Sequence, residues 1–184
     1  HIDIPAPDIG TDGQTMAWFM DTYSQIKGYT DGAVVTGKPL EIGGSKGRAE
    51  STGKGVAFCV NFAAEKIGMT INQKTTVAIH GFGKVGIPAA YDLSAQGAKI
   101  VAVSDVSGGV YDANGLDIAK CELWIKENRV LKGMPGTKHI TNDELFALDV
   151  DILIPAAIDG VITKENAHVV KAKIIAEGAN GPLT

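Results

Sequence analysis

The feature that most constrains this chain is Gly81-Phe82-Gly83-Lys84-Val85-Gly86, because of what surrounds it. On its own a GxGxxG match is weak, since glycine is common. Here it follows directly on a β-branched run, Thr75–His80, which reads as a strand. It opens an amphipathic run, Val85–Ala95, which reads as a helix. A second apolar strand, Lys99–Ser104, comes next, and an acidic residue, Asp105, stands 19 positions after Gly86. That order is the dinucleotide-binding fingerprint, and each part has a physical reason. Gly81 allows the tight turn. Gly83 lets the backbone approach a pyrophosphate. Gly86 lets helix and strand pack closely. The helix N-terminus then presents N–H groups and the positive end of its dipole to phosphate.

Asp105 is placed to accept hydrogen bonds from the ribose hydroxyls of an adenosine. A carboxylate there repels a 2′-phosphate, which tilts the choice between NAD and NADP toward NAD. The run Ser104-Asp105-Val106-Ser107-Gly108-Gly109 is also turn-like, so a plain turn carboxylate fits the same residues. Ser107 and the N–H groups of that loop offer a phosphate a hold, which keeps NADP open.

Around this unit the chain alternates short apolar strands and helices. Gly115–Lys126 and Asn142–Ala147 read as helices, the second with Thr141 and Glu144 at capping-box spacing. Asp151–Pro155 and Lys173–Glu177 read as strands. Strands this apolar, separated by helices, predict an α/β fold: a Rossmann-type, doubly wound, mainly parallel sheet with helices on both faces. Upstream the pattern differs. Pro5 and Pro7 enforce an extended start. Met16, Phe19, Met20, Tyr23 and Ile26 then form one stripe of a helix over 15–26, with Thr11 or Asp12 as cap and Gly28 as stop. A glycine-bearing connection over 30–47 leads to a second helix, Thr52–Ile67, with a stripe of Val56, Cys59, Val60, Ala63 and Ile67. The expected division is 1–45, the remnant of a second domain with its connecting helix, and 46–184, the dinucleotide domain.

Composition excludes several classes. Hydrophobic residues are 45% and charged residues 21% of 184, which suits a packed globule and not a disordered tail. A formal charge of −4 argues against a nucleic-acid groove. No apolar run reaches membrane-spanning length. Cys59 and Cys121 lie 62 positions apart, and His1, His80, His139 and His168 are scattered, so neither a disulfide scaffold nor a metal site is expected. Both thiols are expected to be buried and reduced. The chain starts at His1 without an initiator Met, which suggests a piece of a longer protein.

Three further clusters carry chemistry-bearing residues. Asp8 sits in Asp3-Ile4-Pro5-Ala6-Pro7-Asp8-Ile9-Gly10-Thr11, where two prolines stiffen the backbone, as a precisely aimed carboxylate needs; capping of the next helix is the plainer use. Gly43-Gly44-Ser45-Lys46-Gly47-Arg48-Ala49-Glu50-Ser51-Thr52-Gly53-Lys54-Gly55 lies at a helix entrance. Glu177-Gly178-Ala179-Asn180-Gly181-Pro182 follows a strand, where the Asn180 amide can fix a carboxamide or carboxylate, or simply make a turn.

In this order, DIPAPDIGT, MAWFMDTYSQIKGY, VVTGKPLEIGGSKGRAESTGKGV, GFGKVG, VAVSD and EGANGP, the chain resembles the glutamate dehydrogenases. The leucine, phenylalanine and valine dehydrogenases share the fold but read differently through the middle segment. The resemblance implies reversible oxidative deamination of L-glutamate to 2-oxoglutarate and ammonia with NAD or NADP, in a cytoplasmic homohexamer. It implies Asp8 as the catalytic carboxylate that shuttles protons. It places Thr52 in the wall between cofactor and substrate, and Gly81, Phe82, Gly83, Lys84, Val85 and Gly86 at the pyrophosphate. It places Asp105 near the adenosine ribose, Ala156 and Ala157 beside the cofactor, and Asn180 near both the nicotinamide ribose and the substrate. In that family the catalytic lysine lies upstream of the DIPAPD motif and has no counterpart in these 184 residues. The expectation for the chain by itself is therefore dinucleotide binding without turnover.

Overall fold

The computed structural model describes residues 2–8 and 10–184. His1 and Ile9, part of the histidine count and of the DIPAPDIGT motif, lie outside the described residues. The chain forms two compact units, 1–49 and 50–184.

In the first unit, helix α1 runs Gly13–Lys27. Asp12 starts it with a reciprocal cap: its Oδ1 accepts from Thr15 N at 3.0 Å, while its own N–H donates to Thr15 Oγ1 at 3.4 Å. Gly28 ends it in the left-handed region, φ 78°, as anticipated. The expected five-residue stripe is narrower than predicted. Met16 is buried with Val34 and Val35, and Met20 and Tyr23 pack against them, but Phe19 is 53% and Ile26 79% exposed. So small a cluster offers too little surface to cover the whole face. A single 3-10 turn, Leu40–Ile42, interrupts the connection read as irregular.

Helix α2 covers Arg48–Lys66, four residues earlier than expected. Its buried line is Gly53, Val56, Ala57, Val60 and Ala64, so the predicted stripe is rotated. Cys59 and Ile67 face outward, and the expectation of two buried thiols holds only for Cys121.

The sheet of the second unit comprises β1 (Thr76–His80), β2 (Lys99–Asp105), β3 (Gly108–Tyr111), β4 (Lys138–Ile140), β5 (Ile152–Pro155) and β6 (Ile174–Ile175). Its order is β4-β3-β2-β1-β5-β6. Strands β2, β1, β5 and β6 are parallel, and β3 and β4 add antiparallel at one edge. Helices α3 (Gly86–Ala95), α4 (Ile118–Asn128) and α5 (Asn142–Phe146) complete it. One face of the sheet, with Val77, Ile79, Ile100, Val103, Ile152 and Ile154, packs on α2, α3 and α4. The other, with Ala78, Val101, Ala102 and Leu153, packs on Leu145 and Phe146 of α5 and on Val150 and Ile162. Burial on both faces is why β5 is buried at every position and reads as an unbroken apolar run.

Two strands, β3 and β4, escape the sequence reading. β3 opens with Gly108-Gly109, a poor strand former. Glycine is required there because β4 lies close: a β-carbon on Gly108 would stand 2.8 Å from the His139 ring, and one on Gly109 2.9 Å from Ile140 Cγ1. α4 begins later than expected because Asp117 caps it, accepting from Lys120 N at 3.1 Å.

Candidate functional site

Because β1 feeds β2 on one side while β5 lies on its other side, the sheet has a switch point at the C-terminal end of β1. The loop 81–86 sits there. Gly81 takes φ 100°, and a β-carbon on it would come within 2.7 Å of the Ala156 carbonyl carbon and Ala157 N. Only glycine fits that approach. A β-carbon on Gly86 would overlap the Gly81 carbonyl oxygen, so this residue closes the turn onto the helix. Gly81 N and Phe82 N both donate to Ser104 O, at 3.0 and 2.8 Å, tying the loop to the end of β2. Phe82 is buried, whereas Gly83 and Lys84 are exposed.

Gly83 differs from its two partners. Nothing lies within 4 Å of where its β-carbon would be. Its glycine answers no requirement of the fold and leaves the backbone open to an incoming group. Directly behind it, Val85 is the N-cap residue of α3, which has no side-chain cap and no acidic residue in its first turn. Ile87 N donates to Gly83 O at 3.0 Å and Pro88 has no N–H, so this helix start offers an anion chiefly the positive end of its dipole, with no acidic side chain to offset it. An open loop backbone followed by a helix start with no acidic side chain is compatible with the pyrophosphate of a dinucleotide.

The neighbouring strand ends converge on the same loop. Ala156 N donates to His80 O at 2.7 Å, and Gly178 N and Ala179 N donate to Pro155 O at 2.9 and 3.1 Å. A β-carbon on Gly178 would stand 2.9 Å from Ala156 Cβ and 3.2 Å from Val85 Cγ1. The 156–157 and 177–182 segments thus flank the loop, and both Ala157 and Asn180 are exposed. Thr52 is exposed on α2. Its neighbour Gly53 is buried, and a β-carbon there would overlap Val85 O and stand 2.9 Å from Ala89 N. Gly53, absent from the expected site, is what lets α2 lie against the entrance of α3. A glycine inside an otherwise good helix costs about 1 kcal/mol and is the signal that marks such contacts.

Asp105 is committed more fully than the sequence suggests. Its Oδ1 accepts from Ser107 N at 2.7 Å and from Ser107 Oγ at 2.5 Å, and its Oδ2 accepts from Leu131 N at 2.6 Å. Ser107 Oγ also accepts from Lys132 N at 3.2 Å. Asp105 and Ser107 therefore hold the two-residue turn between β2 and β3 and fasten it to 131–132. A carboxylate accepts about four hydrogen bonds, so three of these places are filled from within the protein.

Asp8 belongs to the first unit. Its N–H donates to Thr11 Oγ1 at 2.7 Å, and its carbonyl accepts from Thr11 N at 3.0 Å. Upstream, Thr36 N donates to Pro5 O at 2.9 Å, and a β-carbon on Gly37 would overlap the Pro7 ring. The exposed Asp8 thus stands on a backbone held from both sides, as its two prolines suggest.

Among the buried polar residues, two lie beside the loop and were not anticipated. His80, 6% exposed, ends β1, and Ser104, 0% exposed, is the penultimate residue of β2. Burial holds the His80 imidazole below its ordinary pKa. Burial, and then the charge of Asp117, push the Cys121 thiol up to about 11, so it stays protonated. Among the described residues no group of three His, Cys, Asp or Glu side chains is arranged to hold a metal ion, and no helix is long and apolar enough to cross a membrane.

Comparison with known proteins finds matches over nearly the whole chain. The family model described as glutamate/leucine/phenylalanine/valine dehydrogenase matches residues 43–184, and the one described as the dimerisation domain of the same dehydrogenases matches residues 1–25. The glutamate dehydrogenase of Thermotoga maritima is 50% identical over 183 residues, covering 99% of this chain and 44% of the relative. NAD-specific glutamate dehydrogenase A of Halobacterium salinarum is 50% identical over 99% of the chain and 41% of its own length. NADP-specific glutamate dehydrogenase of Saccharolobus shibatae is 51% identical over 100% and 43%. The chain thus spans less than half the length of the curated relatives it matches. Among solved structures, a hetero-hexameric glutamate dehydrogenase of Thermus thermophilus superimposes with a TM-score of 0.91 at 35% identity, over 99% of this chain and 42% of that one.

Proposed function

This chain belongs to the glutamate/leucine/phenylalanine/valine dehydrogenase family, and we propose that its residues 50–184 hold a nicotinamide dinucleotide for the oxidative deamination of L-glutamate to 2-oxoglutarate and ammonia. The observation that carries the cofactor reading is the uncapped N-terminus of α3 behind Gly83, whose backbone is open where Gly81 and Gly86 are closed. Glutamate is favoured over the family's other amino acids because relatives at 50–51% identity are named glutamate dehydrogenases. The cofactor, when bound, supplies the redox chemistry by accepting a hydride. The protein supplies binding, orientation and proton handling. Residues 81–86 receive the pyrophosphate, Ala156 and Ala157 border it, and Asn180 and Thr52 contribute polar groups toward the nicotinamide end and the substrate. Asp8, on its proline-stiffened segment, serves as the proton carrier between the amine and the attacking water.

Either NAD or NADP is compatible with this reading, since relatives specific for each stand at nearly equal identity. The negative charge of Asp105 tilts the choice toward NAD. The proposal extends to a cytoplasmic homohexamer; the hetero-hexameric neighbour supports six-fold assembly, not its composition or location. The experiment is an assay of NADH and NADPH formation from glutamate by the full-length enzyme and its Asp8→Asn variant, at saturating substrate. Asp8→Asn is expected to lower kcat by about 10²–10⁴, the usual worth of a positioned acid–base group. Normal turnover by that variant would remove Asp8 from the mechanism. A lack of glutamate turnover in the parent enzyme would remove glutamate as the substrate.

A further inference from the structure

Among the described residues, three buried polar atoms without a hydrogen-bond partner fall in one layer of the fold: His80 Nδ1, Ser104 Oγ and Asn142 Oδ1. His80 and Ser104 are register partners at the ends of β1 and β2. The His80 ring lies 4.9 Å from the Phe146 ring, which puts it on the α5 side of the sheet. Ser104 follows Val103, which faces the α2–α4 layer, so its side chain alternates onto the α5 side as well. Asn142 is the first residue of α5, and its Nδ2 donates to Asp105 O at 3.4 Å, one residue beyond Ser104. Gly109, paired with Ser104 across the ladder, leaves that place free of a side chain.

The position of these residues gives the cluster its interest. Ser104 O takes the N–H groups of Gly81 and Phe82, and His80 O takes that of Ala156. The same two residues are therefore the mount of the loop that receives phosphate. Chemically the three side-chain atoms form a complementary set. A neutral imidazole can donate from Nδ1, a hydroxyl both accepts and donates, and an amide oxygen accepts. In a layer otherwise built from Ala78, Leu153 and Phe146, apolar side chains would pack without any polar group to satisfy.

We propose that His80, Ser104 and Asn142 are positioning residues for the phosphate loop. On uptake of a dinucleotide pyrophosphate, His80 Nδ1–H donates to Ser104 Oγ and Ser104 Oγ–H donates to Asn142 Oδ1, drawing the ends of β1 and β2 against α5. This inference rests on the dinucleotide reading of the loop. No bond is made or broken and no proton changes its owner. The relay converts ligand binding into a tighter strand–helix seam. It requires the imidazole to be neutral with its proton on Nδ1, and the buried, desolvated setting keeps the ring neutral near pH 7.

The test has two arms on the 184-residue chain. In the first, ¹⁵N NMR of the histidine rings is recorded with saturating NADH or NADPH, His80 being assigned with His80→Gln. A protonated, hydrogen-bonded Nδ1 is expected. A neutral ring carrying its proton on Nε2 would overturn the relay. In the second, calorimetry compares cofactor affinity in four variants whose cooperative thermal unfolding is checked first. His80→Leu and Ser104→Ala should each weaken binding about tenfold, and their combination should be no worse than either, because they break one chain. His80→Gln, which keeps an N–H donor, should stay within about threefold of the parent. Equal losses in the Leu and Gln variants would reduce His80 to packing and overturn the proposal. Parent-like affinity in His80→Leu would do the same while leaving the dinucleotide reading intact. If neither dinucleotide binds the parent chain, both ideas fall together.

Discussion

Gly83 and Gly86 stand three residues apart in one loop, and substitutions there should have opposite consequences. Gly83 has no heavy atom within 4 Å of its would-be β-carbon and no positive φ, so a side chain is accommodated by the fold. Gly83→Val should change folding stability by no more than about 1 kcal/mol. It should nonetheless occupy the space through which a pyrophosphate reaches the backbone N–H groups of the loop before α3. Hydrogen bonds to a charged acceptor are worth about 1.5–3 kcal/mol each, so losing one or two costs roughly ten- to a hundredfold or more in affinity. Gly86→Ala is the contrast. Its β-carbon would overlap Gly81 O and come within 3.1 Å of Ile79 Cγ2, and the nearer obstacle is backbone that cannot rotate away. Overpacking of this kind costs about 1–3 kcal/mol or more, a fall in Tm on the order of 5–10 °C for a unit of this size. The assay is thermal unfolding followed by calorimetric titration with NADH and NADPH. Undiminished binding in a fully folded Gly83→Val chain would refute the assignment of the loop to phosphate. A Gly86→Ala chain as stable as the parent would refute the packing argument.

Three other outcomes are expected. Because burial lowers the His80 pKa in the folded chain, the unfolded chain takes up that proton first. The stability this protects is whole above the unfolded value near pH 6.5 and declines as pH falls below it, by at most about 1.4 kcal/mol per pH unit; urea unfolding between pH 7.5 and 5.5 should show the slope in the parent and lose it in His80→Gln. Asp105→Ser removes the acceptor of three hydrogen bonds and should cost on the order of 1–3 kcal/mol in stability; it should also narrow the NAD-to-NADP affinity ratio, and an unchanged ratio would leave Asp105 as a turn anchor alone. Leu93→Ala on α3, at 0% exposure in the main core, should lose about 2–5 kcal/mol by urea unfolding, with loop-dependent binding retained in the folded fraction.

The parts of the fold that could be read from the sequence are those in which local signals and burial agree. β1 and β5 are buried on both faces and show as apolar runs, and the caps at Asp12 and Thr141 announce their helices through side chains three residues apart. β3 and β4 could not be read because their partners, not their own residues, make them strands. Gly108-Gly109 would deny a strand on propensity, yet the nearness of His139 and Ile140 demands residues without side chains. The helix stripes were read too broadly for a related reason. Periodicity shows which residues share a face, but Phe19, Ile26 and Cys59 are exposed because nothing in their own unit reaches that part of the face. In the candidate site, the tight turn from β1 into α3 was legible because glycine is an unusual residue with few uses. Gly53 and His80 were not, since one looks like a poor helix residue and the other like a strand end until their neighbours are seen.

Asp105 is a residue for which the spacing suggests one duty and the structure shows another. Its position at the end of β2 follows from the fingerprint and is where a ribose would lie. Yet its carboxylate already holds the β2–β3 turn and Leu131, so only about one of its acceptor places remains for a sugar hydroxyl. Each of those three donors also spreads the carboxylate's charge into the protein, which weakens its repulsion of a 2′-phosphate. A carboxylate so engaged discriminates less sharply than one aimed freely at the ribose. Asp105 shapes the loop first, and any tilt it gives the coenzyme choice comes second. The affinity ratio in Asp105→Ser is therefore expected to move by less than the full worth of a charged hydrogen bond, about 1.5–3 kcal/mol. A reversal larger than that would mean that the carboxylate leaves its turn to meet the cofactor, at the expense of the three hydrogen bonds that now hold it.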